Sequence, residues 1–155
     1  MSIVRNPFDR LYSIFEFYQF RPKTNQTQEQ LKYEKLGRTD INPDMTFEQF
    51  VLSYELKFAG KRIQFNPCYD FVENNDKVIA TDILKFENLS EDYDKFCKKY
   101  NLKNDLSHDN INLKKNELKD RSKLYSEDTI KVVERAFRND LLYFDYNYQS
   151  FLNSR

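Results

Sequence analysis

The sequence predicts an α/β fold that is rich in helix and has few strands. The apolar run Ser2–Val4 is typical of the end of a buried strand, and Asn6-Pro7 then switches the chain into a helix. Lys77–Phe86 is rich in β-branched residues between polar clusters, which predicts a second strand, interrupted near Thr81-Asp82. Elsewhere the apolar residues recur mainly at helical spacing, so helices should dominate.

Length and composition predict one domain over residues 1–155. The 25 Lys and Arg residues balance 25 Asp and Glu residues, so no overall charge draws the chain to nucleic acid or to an anionic membrane. The apolar fraction of 39% is low, but 14 Phe and 11 Tyr residues supply bulk for burial. We therefore expect an aromatic-rich core.

The cysteines and the hydropathy pattern bear on the compartment. Cys68 and Cys97 are too few for a disulfide framework, and Cys97 is predicted to be a buried core thiol. No apolar run approaches the roughly 20 residues that span a bilayer, and the N-terminus lacks a signal-peptide stretch. We therefore expect a soluble, cytoplasmic chain without a membrane segment. No metal site is predicted.

The predicted helices are bounded by recognisable caps. Asn6 is a good N-cap for the first helix, and Thr46 with Gln49 forms a capping box for the next. Ser90 is predicted to cap a helix that stops at Asn101 in a left-handed conformation. The expected buried faces carry Phe8, Leu11, Tyr12 and Phe15, then Phe47, Phe50, Val51 and Tyr54, then Tyr93, Phe96, Cys97 and Tyr100.

The last helix is predicted to be long and to begin after Ser126. Its apolar stripe would consist of Ile130, Val133, Phe137 and Leu141. Two polar stretches lack helical periodicity. Arg21–Asp44 is predicted to be an irregular excursion with a short helix near Glu29–Leu36. This excursion is the expected place for contacts with the acceptor. The second stretch, Asp105–Leu124, is polar and basic.

Arg5 and Ser13 are the first candidate site residues. Arg5 stands at the end of a strand and Ser13 lies two turns into the following helix, so both can face an anion above the strand's carboxyl edge. A guanidinium offers a planar fork of donors for phosphate, and a hydroxyl adds a hydrogen bond from a second direction. The alternative is that Arg5 forms a surface ion pair with Asp9.

The wider string Val4 to Ser13, read as V-R-N-P-F-D-R-L-Y-S, resembles the 3'-phosphate-binding segment V-R-N/D-P-x-x-R-x-x-S of the carbohydrate sulfotransferase family. The resemblance implies that Arg5 and Ser13 hold the 3'-phosphate of 3'-phosphoadenosine 5'-phosphosulfate. Similar segments follow in the family's order at residues 46–51, 82–89, 106–110 and 125–146. The family's fold has three layers and is related to P-loop kinases, so the chain is expected to be a part of that fold.

Lys119-Asp120-Arg121-Ser122 is similar to the K-G-R-T loop of heparan-type sulfotransferases, which closes over the nucleotide. The resemblance implies that Lys119 and Arg121 bind the donor. Asp120 stands where that loop has glycine, so the sequence departs from the pattern at the position where glycine allows the turn and a close backbone contact. The alternative is a solvated basic run in a Lys-rich chain.

Family members also carry a P-K-x-x-x-T-S type loop that holds the 5'-phosphosulfate, and no segment here resembles it. We therefore expect a C-terminal portion, incomplete at its N-terminus, that binds adenosine 3',5'-bisphosphate but does not transfer sulfate by itself. A missing first strand would leave apolar surface open to self-association. His108, the one histidine, is taken as a surface or packing residue, and no catalytic base is assigned.

Three functions are compatible with these observations. The resemblance implies transfer of a sulfuryl group from the nucleotide donor to a hydroxyl group of a carbohydrate acceptor. A second hypothesis is a catalytically inactive fragment, or a binding or interaction protein that retains only the 3'-phosphate half-site. A third is a single-strand nucleic-acid binder, which the zero net charge and the helical spacing of the aromatic residues oppose.

Overall fold

A computed structural model of the chain describes residues 1–20, 44–57, 59–60, 65–75, 77–106 and 123–153. The strands are β1 (Ser2–Val4), β2 (Glu73–Asn74), β3 (Lys77–Val78) and β4 (Ile83–Lys85). The helices are α1 (Pro7–Phe20), α2 (Phe47–Leu52), α3 (Tyr54–Lys57), α4 (Leu89–Tyr100), α5 (Glu127–Ala136), α6 (Arg138–Tyr143) and α7 (Tyr148–Asn153). This described part is rich in helix and has few strands, as predicted.

Strands β1 and β4 form a parallel pair that positions the candidate site. Ser2, Ile3 and Val4 lie opposite Ile83, Leu84 and Lys85, respectively. Leu84 is buried, and β4 packs against α4. The carboxyl ends of β1 and β4 consequently lie side by side, each followed directly by a turn that leads into a helix. The β2 and β3 strands form a separate antiparallel hairpin.

The larger core cluster is aromatic, which confirms the expectation from composition. Tyr125 lies near its centre, with the rings of Phe8, Phe47, Tyr148 and Phe151 at centroid distances of 5.1, 5.0, 6.0 and 5.6 Å. Its hydroxyl donates to the carbonyl oxygen of Phe8 at 2.7 Å. Burial raises the pKa of this hydroxyl well above its ordinary value. The hydrogen bond therefore satisfies a polar group inside an apolar cluster.

Most of the predicted caps are confirmed. The side-chain oxygen of Asn6 accepts from the Phe8 N–H at the start of α1. Thr46 and Gln49 form the complete capping box of α2. Asn101 ends α4 with a positive φ of 53°. Each of these caps uses a partner within a few residues, so the local sequence contains the whole signal.

The predicted start of α4 is wrong. Ser90 is the second residue of the helix, and a 3₁₀ turn over Phe86–Asn88 runs directly into Leu89. Asn88 holds the N-cap position without a side-chain hydrogen bond. The nearby carboxylate of Asp92 instead accepts from the Lys85 N–H at 3.0 Å. Cys97 is buried as predicted, whereas Tyr100 on the same expected face is exposed.

The long last helix is divided by Phe137. Phe137 has φ of −115° and ψ of 27°, outside the helical region, and separates α5 from α6. Its ring is fully buried and lies 5.1 Å from that of Tyr54. Ser126 begins α5, but its hydroxyl donates to Glu48 and makes no cap hydrogen bond. In both places a tertiary contact replaces the expected local structure.

The segment Lys77–Phe86 does not form one strand. It contains β3 and β4, which are separated around the predicted break at Thr81-Asp82 and pair in different sheets. Asp82 accepts hydrogen bonds from Thr81, Lys99 and Tyr100. Among the helices of the described ranges, none combines the length and the apolar character needed to cross a membrane.

Candidate functional site

The candidate site lies where β1 and β4 end. Val4 and Lys85 are the last paired residues, and Arg5 and Phe86 directly follow them. The carboxyl ends of neighbouring parallel strands are the usual place for ligands in α/β folds. The site is therefore built by the two turns that leave these strands.

Arg5 is held from two directions. Its Nε donates to Oδ2 of Asp9 at 2.6 Å, and its guanidinium carbon lies 4.4 Å from the centroid of the Phe86 ring. The side chain remains 27% exposed. In the described part of the chain its two terminal nitrogens donate to no other side chain. The ion pair that was the alternative prediction thus exists, and it occupies only one of the three nitrogens.

Asn6 fixes the turn between β1 and α1. Its side chain is fully buried. Oδ1 accepts from the Phe8 N–H at 3.1 Å, while Nδ2 donates to the carbonyl oxygen of Asn147 at 3.2 Å and to the Ser150 hydroxyl at 3.0 Å. The residue next to Arg5 is therefore tied both to its own helix and to the start of α7.

Glu87 joins the two strand ends. Its Oε1 accepts from the Asn6 N–H at 2.7 Å, and its Oε2 accepts from the Tyr146 hydroxyl at 2.8 Å. Burial raises the pKa of the Tyr146 hydroxyl, and the charge of Glu87 raises it further. Lys85 lies 4.8 Å from the Tyr146 ring centroid. This carboxylate clamps the turns that carry Arg5 and Phe86, a role that sequence analysis did not assign.

Ser13 lies in α1, two turns beyond Arg5, and its side chain is half-buried. Asp9 and Ser13 are four residues apart, which places them on the same face of the helix with Cβ atoms about 5–6 Å apart. Asp9 is the carboxylate that holds Arg5. Ser13 therefore lies one helical turn along from the acceptor of the Arg5 hydrogen bond.

Cys68 lies behind the turn after β1. Nη1 of Arg10 donates to its Sγ at 3.4 Å. Burial raises the pKa of the Cys68 thiol, while the charge of Arg10 opposes that shift. The thiol is thus a packed acceptor for the Arg10 guanidinium.

A buried carboxylate anchors the segment that contains Cys68. Asp140 accepts from the N–H groups of Cys68 and Tyr69 at 2.8 and 2.7 Å. Burial raises the pKa of Asp140, and the two N–H donors partly offset that effect. Asp140 lies in the segment 125–146 that resembles the family, and this was the available sequence signal for the contact.

The other predicted site residues lie outside the described residues. These are Lys119 and Arg121. His108, which is predicted to be a surface or packing residue, and residues 21–43 of the predicted acceptor-side excursion also lie outside the described residues. That Lys119 and Arg121 bind the donor stays a prediction. In the ranges that are described, no group of three or more His, Cys, Asp or Glu side chains is arranged to hold a metal ion.

Comparison with known proteins identifies the family. Searches of the curated proteins and of the solved structures gave no match. The family model described as "Sulfotransferase family" matches residues 1–147, which include β1, the Arg5 turn, β4 and the Asp140 anchor. The match covers nearly all of the 155 residues. The chain therefore belongs to the sulfotransferase family.

Proposed function

We propose that the turn after β1 binds the 3'-phosphate of 3'-phosphoadenosine 5'-phosphosulfate. The observation that carries this proposal is the set of contacts that the Arg5 guanidinium makes. Asp9 accepts from its Nε, and the Phe86 ring lies against its guanidinium. Its terminal nitrogens donate to no other side chain among the described residues. A guanidinium presented in this way offers two parallel donors that match a phosphate.

Ser13 complements Arg5 in this proposal. Its hydroxyl lies on the helix face that also carries Asp9, and it would donate to a second phosphate oxygen. Lys119 and Arg121 would add positive charge over the nucleotide from the segment that precedes α5 in the sequence. Balanced charge over the whole chain means that such local groups must supply the attraction for the anion.

The reaction we propose is transfer of the sulfuryl group to a hydroxyl group of a carbohydrate acceptor. Family membership supports sulfotransfer in general. The donor supplies an activated sulfuryl group. Arg5 and Ser13 bind and orient the donor through its 3'-phosphate. Holding this end of the donor aligns the sulfuryl group at its other end. The carbohydrate acceptor follows from the resemblance of the Val4–Ser13 segment.

We also propose that residues 1–155 form one domain with part of a three-layer, P-loop-kinase-like architecture. The parallel β1–β4 pair, with α1 and α4 following its two strands, supports this architecture. In α/β folds, neighbouring parallel strands are joined by a crossover connection that usually contains a helix.

Calorimetric titration with adenosine 3',5'-bisphosphate tests the site. Arg5→Ala should weaken binding about tenfold or more, because hydrogen bonds to charged groups contribute about 1.5–3 kcal/mol. Arg135→Ala is the matched control, since that guanidinium is exposed and bound to Glu55. Equal affinities for wild type and Arg5→Ala would refute the assignment. A radiolabelled-sulfate assay over a panel of glycans and non-carbohydrate alcohols tests the acceptor class, and with residues 1–155 alone it also tests the prediction that this chain does not transfer sulfate by itself.

A further inference from the structure

We infer that Asp9 and Phe86 are positioning residues, which orient Arg5 so that only the terminal edge of its guanidinium is presented to the phosphate. The inference rests on the proposed function of Arg5 and extends it to two side chains for which the resemblance implies no role in donor binding. It predicts that both residues change the affinity for a 3'-phosphate through Arg5, without contacting the ligand.

Asp9 restricts the guanidinium in its own plane. The Nε–Oδ2 distance of 2.6 Å is typical of a charge-assisted hydrogen bond. The Asp9 side chain is only 13% exposed, and it extends from the first turn of α1, whose start is fixed by Asn6. Its carboxylate is thus a rigid acceptor. With Nε held, the edge formed by the two terminal nitrogens is the pair of donors left for a ligand.

Phe86 restricts the guanidinium out of its plane. The 4.4 Å distance to the ring centroid is a cation–π contact. The ring is carried by the 3₁₀ turn Phe86–Asn88, and Glu87 in that turn is hydrogen bonded to the Asn6 N–H. Phe86 is 45% exposed, so replacing it should cost the fold little. Its place at the end of β4 therefore serves Arg5 more than the core.

Asp9 has two opposing effects on an anion. Its hydrogen bond orients Arg5, which favours binding, whereas its negative charge competes with the phosphate for the guanidinium, which disfavours it. The Asp9→Asn and Asp9→Ala variants separate these two effects. Asn keeps an oxygen acceptor for Nε without the charge, and Ala removes both.

The test is calorimetric titration of the full chain with adenosine 3',5'-bisphosphate and with adenosine 5'-monophosphate, which lacks the 3'-phosphate. The variants are Asp9→Ala, Asp9→Asn, Phe86→Leu and Phe86→Tyr, with Arg5→Ala as the reference. The melting temperature of each variant shows whether it is folded. The quantity of interest is the ratio of the two affinities, because a general loss of structure would weaken both ligands together.

We expect Asp9→Ala and Phe86→Leu each to lower the preference for the bisphosphate about fivefold. This is about the effect of losing one hydrogen bond at Asp9 or one cation–π contact at Phe86. Asp9→Asn and Phe86→Tyr should retain the wild-type preference or exceed it. An unchanged or higher preference in Asp9→Ala and Phe86→Leu, with a loss in Arg5→Ala, would overturn this inference and leave the phosphate site standing. No loss in Arg5→Ala would overturn the proposed function and this inference with it.

Discussion

Glu87 accepts a hydrogen bond from the backbone N–H of Asn6 at 2.7 Å, across the ends of two parallel strands. The two residues are 81 positions apart in the sequence. This bond sets the spacing between the turn that carries Arg5 and the turn that carries Phe86. The geometry of the candidate site therefore depends on a hydrogen bond between two turns that are distant in the sequence.

Replacing Glu87 tests this clamp. Glu87→Ala leaves the Asn6 N–H and the Tyr146 hydroxyl without their acceptor, which should lower the free energy of unfolding by about 2–3 kcal/mol. Glu87→Gln keeps an oxygen acceptor for one of them and should lose less than half as much. Urea unfolding measures both variants, and equal stabilities for Ala and Gln would contradict the clamp.

Asn6 should be sensitive to replacement by either Ala or Asp. Asn6→Ala removes the N-cap of α1 and two donors to the start of α7, for an expected loss of about 2–3 kcal/mol. Asn6→Asp keeps the cap oxygen but sets a buried carboxylate oxygen against the Asn147 carbonyl oxygen, so its loss should be at least as large. Asn139→Ala, at an exposed position of α6, serves as the control and should change the free energy of unfolding by less than about 0.5 kcal/mol.

The hydroxyl of Tyr125 provides a test of the aromatic core. Tyr125→Phe preserves the ring contacts but removes the buried bond to the Phe8 carbonyl, so the protein should lose about 1–2 kcal/mol. Tyr143→Phe, at an exposed ring, should leave the stability unchanged. Thermal unfolding of the two variants side by side measures the difference, and equal melting temperatures would show that the core bond contributes nothing.

Asp82 gives the fold a pH dependence of known sign. Hydrogen bonds from Lys99 and then Tyr100 lower the pKa of Asp82 from its ordinary 3.8 to about 2. Because the folded state has the lower pKa, the stabilisation is complete above about pH 4 and is lost as the pH falls towards 2. Asp82→Asn should be less stable than wild type at pH 6, and the gap should narrow between pH 4 and pH 3. A constant gap in urea unfolding over this range would contradict the shift.

Sequence alone predicted the features whose partners are near in the chain. The Asn6 cap, the Thr46–Gln49 box and the left-handed stop at Asn101 each depend on residues within a few positions. The strand end that carries Arg5 followed from the strand, turn and helix pattern of residues 2–15, whereas its parallel pairing with β4 did not. These local signals were sufficient to place Arg5 directly after β1 and Ser13 in α1.

The long-range contacts could not be predicted in the same way. Ser126 donates to Glu48 and not to its own helix, and Phe137 ends α5 because its ring packs against Tyr54. Asp140 and Glu87 bind backbone N–H groups more than 70 residues away. A single sequence carries no information on which distant N–H group a buried carboxylate will reach, so the support of Arg5 required the structure.

The central claim is that Arg5 recognises the 3'-phosphate, and the most direct measurement compares two ligands on two proteins. Wild type should bind adenosine 3',5'-bisphosphate about tenfold or more tightly than adenosine 5'-monophosphate, and Arg5→Ala should lose most of that preference while its affinity for the monophosphate stays the same. A wild-type preference that persists in Arg5→Ala would contradict the account, because the 3'-phosphate would then be held by other residues.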